Sequence, residues 1–89
     1  MAKAEIGWTR RDDTGENLDV YVRRVGKEWR FFMRRRRYDQ WQAVAHPPIE
    51  DWLELLDAVR RRVNRRLLRP EEAARVEQSI REQFPDTEF

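Results

Sequence analysis

The sequence contains no cysteine and only one histidine and one serine, which restricts the chemistry available to the chain. Without thiols, neither a disulfide framework nor a thiolate metal site can form. His46 precedes two prolines and is interpreted as a loop residue, and there is no glycine-rich phosphate loop. Glu50 and Glu54 open a predicted helix, where the helix dipole accounts for them. We therefore predict a protein that is not an enzyme and that holds no cofactor and no metal.

Long apolar runs are also missing. No segment approaches the roughly 20 apolar residues that a membrane-spanning helix needs. The first eight residues lack the apolar run of a signal peptide. The chain has 89 residues, which suits one small domain. We expect a cytoplasmic protein without membrane contact, with a single domain over residues 1–85 and a frayed tail over residues 86–89.

Positive charge is abundant but segregated. The net charge is only +2, yet residues 23–37 carry +7 and residues 60–69 carry +6, with acidic segments around them. The basic side chains are 17 Arg and two Lys. The planar fork of arginine suits phosphate, although an arginine-rich codon bias would give the same excess.

The stretch Glu28–Tyr38 (EWRFFMRRRRY) shows an alternating pattern. One side carries Trp29, Phe31 and Met33, and the other carries Arg30, Phe32, Arg34 and Arg36. Because successive side chains of a strand point to opposite faces, this pattern predicts a half-buried β-strand. Continued alternation would turn Arg35 toward the core, unless it lies at the sheet rim or the strand has bent.

Three further strands are predicted, at Ala4–Thr9, Glu16–Arg24 and Trp41–Ala45. Gly7 suggests a bulge or a close backbone approach in the first of them. A two-residue loop at Gly26 and Lys27 predicts a hairpin. Its register places Val25 opposite Glu28, and it continues through the pairs Arg23–Arg30, Val22–Phe31, Tyr21–Phe32, Val20–Met33 and Asp19–Arg34.

Two helices follow. Apolar residues from Ile49 to Leu67 recur with helical spacing over about five turns. Pro70–Phe84 forms a second amphipathic segment, whose stripe packs on the first helix or on another copy in a homodimer. The predicted fold is α+β, with the order β-β-β-β-α-α: a four-stranded antiparallel meander, a long helix on one face and a shorter second helix.

Over Leu18–Val63, this order resembles the single-stranded-DNA-binding domains related to the positive transcriptional coactivator and, more distantly, the Whirly proteins. The segments that carry the resemblance are WRFFMRRRRYD and PPIEDWLELL. The chain differs in lacking a Lys-Gly motif ahead of the helix and in having a second helix. The resemblance implies a curved sheet with a basic and aromatic surface that binds single strands, and a helix that dimerises.

Like charges at Arg23 and Arg30 disfavour the hairpin unless an anion lies between them. Together with the adjacent aromatic pair, these arginines predict a nucleic-acid site for single-stranded DNA or RNA, or for structured RNA. Its residues are Tyr21, Arg23, Arg30, Phe32, Arg34, Arg36 and Arg37, and a second basic patch is expected at Arg61, Arg62, Arg65 and Arg66. The alternatives are an acidic protein partner, self-association through the C-terminal helix, or arginines that are simply solvated. The four tryptophans are assigned to the core, Trp41 least firmly.

Overall fold

Alternating side chains over the first part of the chain produce antiparallel strands in the computed structural model, which describes residues 5–35 and 37–89. The elements in chain order are β1 (Glu5–Arg11), β2 (Asn17–Val25), β3 (Glu28–Arg34), β4 (Gln42–Val44), α1 (Ile49–Asn64) and α2 (Pro70–Gln83). The predicted α+β fold with the order β-β-β-β-α-α is confirmed.

The four strands form one antiparallel sheet in the order β1-β2-β3-β4. In the β2–β3 hairpin, Val25 pairs with Glu28, Arg23 with Arg30, and Tyr21 with Phe32, so the predicted register is confirmed. Gly26 has φ 64°, as the tight two-residue loop requires. The register between β1 and β2 is regular throughout, so of the two alternatives predicted for Gly7 the bulge is wrong.

Alternation gives the sheet two different faces. The apolar face carries the buried side chains Ile6, Leu18, Val20, Val22 and Phe31. Trp8, Trp29 and Met33 share that face and are half-buried. Side chains of the opposite face are half-buried or exposed, and this face is called the aromatic face below because it carries Tyr21 and Phe32.

The third strand is shorter than predicted, because β3 ends at Arg34 rather than continuing toward Tyr38. Arg35 therefore lies beyond the alternating segment, and its exposed side chain forms ion pairs with Asp12 and Glu16 at the β1–β2 turn. The turn itself is closed by the Asp12 carboxylate, which accepts hydrogen bonds from the backbone amides of Thr14 (2.9 Å) and Glu16 (3.0 Å). In a turn of this kind, the aspartate side chain accepts hydrogen bonds from backbone amides that have no partner in the sheet.

Helix α1 begins directly after Pro48, with Glu50 and Asp51 in its first turn as the helix dipole favours. It has 16 residues and ends at Asn64, one turn earlier than the apolar spacing predicted. Leu67 therefore lies outside the helix and is 66 % exposed, which corrects its assignment to the buried stripe.

Helix α2 begins with Pro70 at its first position and packs against α1. Val76 and Ile80 of α2 are fully buried, as are Leu55 and Val59 of α1. Arg60 Nη2 lies 2.9 Å from Glu77 Oε2 and joins the two helices at their surface. The predicted homodimer stays a prediction.

The chain divides into two compact units, residues 1–46 with the sheet and residues 47–89 with the helices. The single domain predicted over residues 1–85 stays a prediction. Part of the expected tail contacts α2, since the Arg81 guanidinium lies 5.2 Å from the Phe89 ring centroid. In the described residues neither helix combines the length and the apolar character needed to cross a membrane.

Candidate nucleic-acid interface

A cross-strand aromatic pair lies at the centre of the aromatic face. Tyr21 on β2 and Phe32 on β3 are directly paired, and their rings stack with a centroid distance of 5.0 Å and an angle of 20°. Both side chains are half-buried. Such a pair adds about 0.5–1.5 kcal/mol beyond the area it buries. The two rings therefore hold each other in place while part of their surface stays accessible.

Trp41 extends this pair into a three-ring cluster. Its ring meets Tyr21 in an edge-to-face arrangement, with 4.8 Å between the centroids. Trp41 is 36 % exposed, so its assignment to the core is wrong. It precedes β4, whose first pairs with β3 are Met33–Gln42 and Phe32–Ala43. The short turn before β4 thus places an indole beside the predicted site.

Arg34 links the aromatic cluster to an acidic residue. Its Nε donates to Asp19 Oδ2 at 3.2 Å, and its guanidinium carbon lies 4.2 Å from the Trp41 ring centroid. The Thr9 hydroxyl donates to the other oxygen of Asp19 at 3.1 Å. The charge of Arg34 is therefore already compensated, and its planar group supports the indole.

Arg23 and Arg30 are directly paired on neighbouring strands, as predicted, and both are exposed. Arg30 Nη2 lies 3.5 Å from Glu28 Oε1, a weak surface contact. Arg23 makes no ion pair or side-chain hydrogen bond with any residue that the structure describes. Its paired residue on β1 is Glu5. Arg23 is therefore the cation of this face most available to an external anion.

A groove of about 670 Å³ opens on the aromatic face beside Tyr21 and Trp41. It exists because the residue paired with Tyr21 on β1 is Gly7, which has no side chain. Tyr21 thus has the Phe32 ring on its β3 side and an open position on its β1 side. Arg37, one of the predicted site residues, is exposed and also lines the groove. Arg36, another of them, lies outside the described residues.

The Asp12–Arg35 contact lies at the margin of this groove, which Arg35 also lines. Hydrogen bonds from the Thr14 hydroxyl and then from Arg35 hold the pKa of Asp12 well below its usual range. The same hydrogen bond raises the pKa of Arg35 above its usual value. Both groups are charged over the whole physiological pH range. The ion pair therefore holds the Arg35 side chain in place and does not act as a pH-dependent switch.

The predicted second basic patch is only partly available. Arg61 lies 3.2 Å from Asp57, one helical turn away, and Arg62 donates to the Ala58 carbonyl at 3.4 Å. Arg65 and Arg66 follow the end of α1 and are exposed. Arg65 and Arg66 therefore leave more positive charge uncompensated than Arg61 and Arg62 do.

Residues 5–35 and 37–89 contain no group of three or more His, Asp or Glu side chains that could hold a metal ion. Comparisons of the chain with protein-family models, with curated proteins and with solved structures find no match. The resemblance to single-stranded-DNA-binding domains stays a prediction. The candidate site is therefore assigned from its geometry and not from a relative.

Proposed function

We propose that the protein is a non-enzymatic binding domain for single-stranded DNA or RNA, and that the aromatic face is its binding surface. The observation that carries the proposal is the partly accessible aromatic cluster of Tyr21, Phe32 and Trp41 beside an open groove. An accessible ring next to a vacant position offers a flat surface on which a base can stack.

The arrangement favours unpaired bases over a duplex. In a duplex the faces of the bases are covered by their neighbours, whereas single strands can present them to aromatic side chains. Stacking also tolerates any base, because every base has a π-face. We therefore expect weak sequence preference and a preference for single strands.

Arginines near the cluster supply the attraction for phosphate. Arg23 and Arg30 stand side by side, and their mutual repulsion falls when a phosphate binds between them. Arg37 offers a further exposed guanidinium at the groove. Arg34, in contrast, is assigned a supporting role under Trp41, because Asp19 already compensates its charge.

A second candidate is docking of a protein partner. The observation in its favour is that Glu5, Asp19 and Glu28 share the face with the arginines. A surface of mixed charge suits a protein interface better than a uniform polyanion.

A titration of fluorescently labelled mixed-sequence oligonucleotides at several salt concentrations tests the proposal. Tyr21→Ala and Trp41→Ala should each weaken binding about 5- to 150-fold, which corresponds to about 1–3 kcal/mol per stacked base. Tyr38→Ala is the matched control, because among the described residues the Tyr38 ring contacts none of the three cluster rings and does not line the groove. It should bind as the wild type does.

The same titration measures the phosphate contacts. The Arg23→Gln/Arg30→Gln double variant should lower the log–log salt slope by about 1.4, at about 0.7 per lost contact. Circular dichroism confirms that each variant is folded. The proposal fails if Tyr21→Ala and Trp41→Ala bind like Tyr38→Ala, and absence of binding at low salt would favour the protein partner.

A further inference from the structure

The reversal between α1 and α2 has an unusual backbone. The Leu67 amide donates to the Arg62 carbonyl at 2.8 Å, and the Arg66 amide donates to the Val63 carbonyl at 2.9 Å. This pair of hydrogen bonds is the Schellman motif, which requires a left-handed residue directly after the helix cap. That residue is Arg66, with φ 62°.

Glycine normally occupies this position, because any side chain is strained in the left-handed region. Arg66 is the one non-glycine residue with positive φ among those the structure describes. A left-handed conformation of a residue with a side chain persists where the surroundings impose it, and such residues concentrate at functional sites. The end of α1 therefore includes a local conformational strain that a glycine would avoid.

Positive charge without an acidic partner is concentrated at this same reversal between α1 and α2. Residues 60–69 contain six arginines and no acidic residue. Three of them already have partners: Arg60 contacts Glu77, Arg61 contacts Asp57, and Arg62 donates to a backbone carbonyl. In the described part of the chain, the side chains of the other three form no ion pair or hydrogen bond: Arg65, Arg66 and Arg69.

We infer that this corner, defined by Arg65, Arg66 and Arg69, is a contact site for the sugar-phosphate backbone of a nucleic acid. The inference rests on the proposed function. It adds a second site, in the helical unit, that reads phosphate and not bases. No aromatic residue lies between Asn64 and Pro70, so the corner has no ring on which a base could stack. Arginine side chains that form no ion pair within the protein attract phosphate irrespective of sequence.

The test uses an abasic deoxyribose-phosphate strand, which retains phosphates but offers nothing to the aromatic face for stacking. Binding is measured against salt for Arg65→Gln/Arg66→Gln and for Arg60→Gln/Arg61→Gln. Both double variants remove two positive charges, so the long-range electrostatic change is matched. The corner variant should lower the salt slope by about 1.4, at about 0.7 per contact, and the control by clearly less.

Arg66→Gly separates contact from folding. Glycine relieves the left-handed strain, so the unfolding midpoint should stay the same or rise by up to about 5 °C. The salt slope on the abasic strand should nevertheless fall by about 0.7. Loss of binding together with equal or greater stability cannot come from unfolding.

Equal salt slopes for the two double variants would overturn the inference. Stronger competition by poly-glutamate than by an abasic strand of equal charge would also overturn it, and would assign the corner to an acidic polypeptide. Failure of the proposed function gives a different result. Base-bearing and abasic strands would then bind the wild type equally well, while the corner variant could still differ from its control.

Discussion

Arg34 Nε lies 3.2 Å from Asp19 Oδ2, and the guanidinium carbon lies over the Trp41 ring, 4.2 Å from its centroid. A cation–π contact at the surface contributes about 0.5–1 kcal/mol, and a surface ion pair, here between two half-buried side chains, contributes about 0–1 kcal/mol. Neither is large, yet together they fix a side chain that would otherwise be mobile. A tryptophan held in this way loses less entropy when a base stacks on it.

At the same scale, Asp12 should make stability depend on acid pH. Its pKa is lowered in the folded state by the Thr14 hydroxyl and by Arg35. The stabilisation is therefore complete above the unfolded-state value of about 3.9 and is lost as the pH falls toward the folded-state pKa. Denaturant unfolding should show the wild type more stable than Asp12→Asn at pH 7, with the difference shrinking below about pH 4.

Asp13→Asn is the control, because Asp13 makes none of these hydrogen bonds in the described residues. Its effect on stability should be small at both pH values. A stability difference between the wild type and Asp12→Asn that stays constant from pH 7 to pH 3 would contradict this account of the turn.

Among the elements, β1 determines how accessible the cluster is. A Cβ atom at Gly7 would lie 3.5 Å from the Val20 carbonyl oxygen and 3.6 Å from Tyr21 Cβ, which are ordinary contacts. The backbone therefore accepts a side chain there without strain. What the glycine provides is the empty space beside Tyr21, at a cost of about 0.5–1 kcal/mol relative to alanine in a strand interior.

The series Gly7→Ala, Gly7→Val and Gly7→Leu should fill the groove in steps. Oligonucleotide affinity should fall progressively, by tenfold or more for the larger side chains. Thermal stability should stay unchanged or rise, because β-branched residues favour strands. Val25→Leu is the control, because Val25 is exposed on the same face of the sheet but does not line the groove. Unchanged affinity across the series would exclude the groove as the binding position.

The hairpin was predictable because one alternating pattern and one tight loop agreed on a single register. A slip of β3 by one residue would have moved Phe31 from the apolar face, which carries Val22, to the aromatic face. The fold class followed from the same patterns. The sequence alone therefore predicts the positions of Tyr21, Phe32 and Arg23 on the sheet correctly.

The ends of elements were less predictable, because contacts distant in sequence decide them. β3 stops at Arg34 since Arg35 pairs with Asp12, 23 residues earlier. α1 stops at Asn64, although the apolar spacing continues to Leu67. The sequence predicts Trp41 in the core only because tryptophan is a large apolar residue. The position of Trp41 just before the strand that pairs with the arginine-rich end of β3 is the one signal in the sequence that it lies beside the predicted site.

For the molecule as a whole, the two units differ in charge. Residues 1–46 contain 11 Lys and Arg against 7 Asp and Glu, a net charge of +4. Residues 47–89 contain 8 against 10, a net charge of −2. The positive unit is the one that carries the aromatic face. We therefore expect a polyanion to be attracted to the sheet and, in the helical unit, to the corner defined by Arg65, Arg66 and Arg69.

The central claim, that single strands bind at the aromatic face, is tested most directly by NMR of the four tryptophan indole N–H groups. An unlabelled single-stranded oligonucleotide is titrated into ¹⁵N-labelled protein. The Trp41 resonance should shift, because its ring belongs to the exposed cluster. Those of Trp29 and Trp52, whose indole N–H groups are buried, should stay in place. Bound oligonucleotide with an unmoved Trp41 resonance would contradict the account.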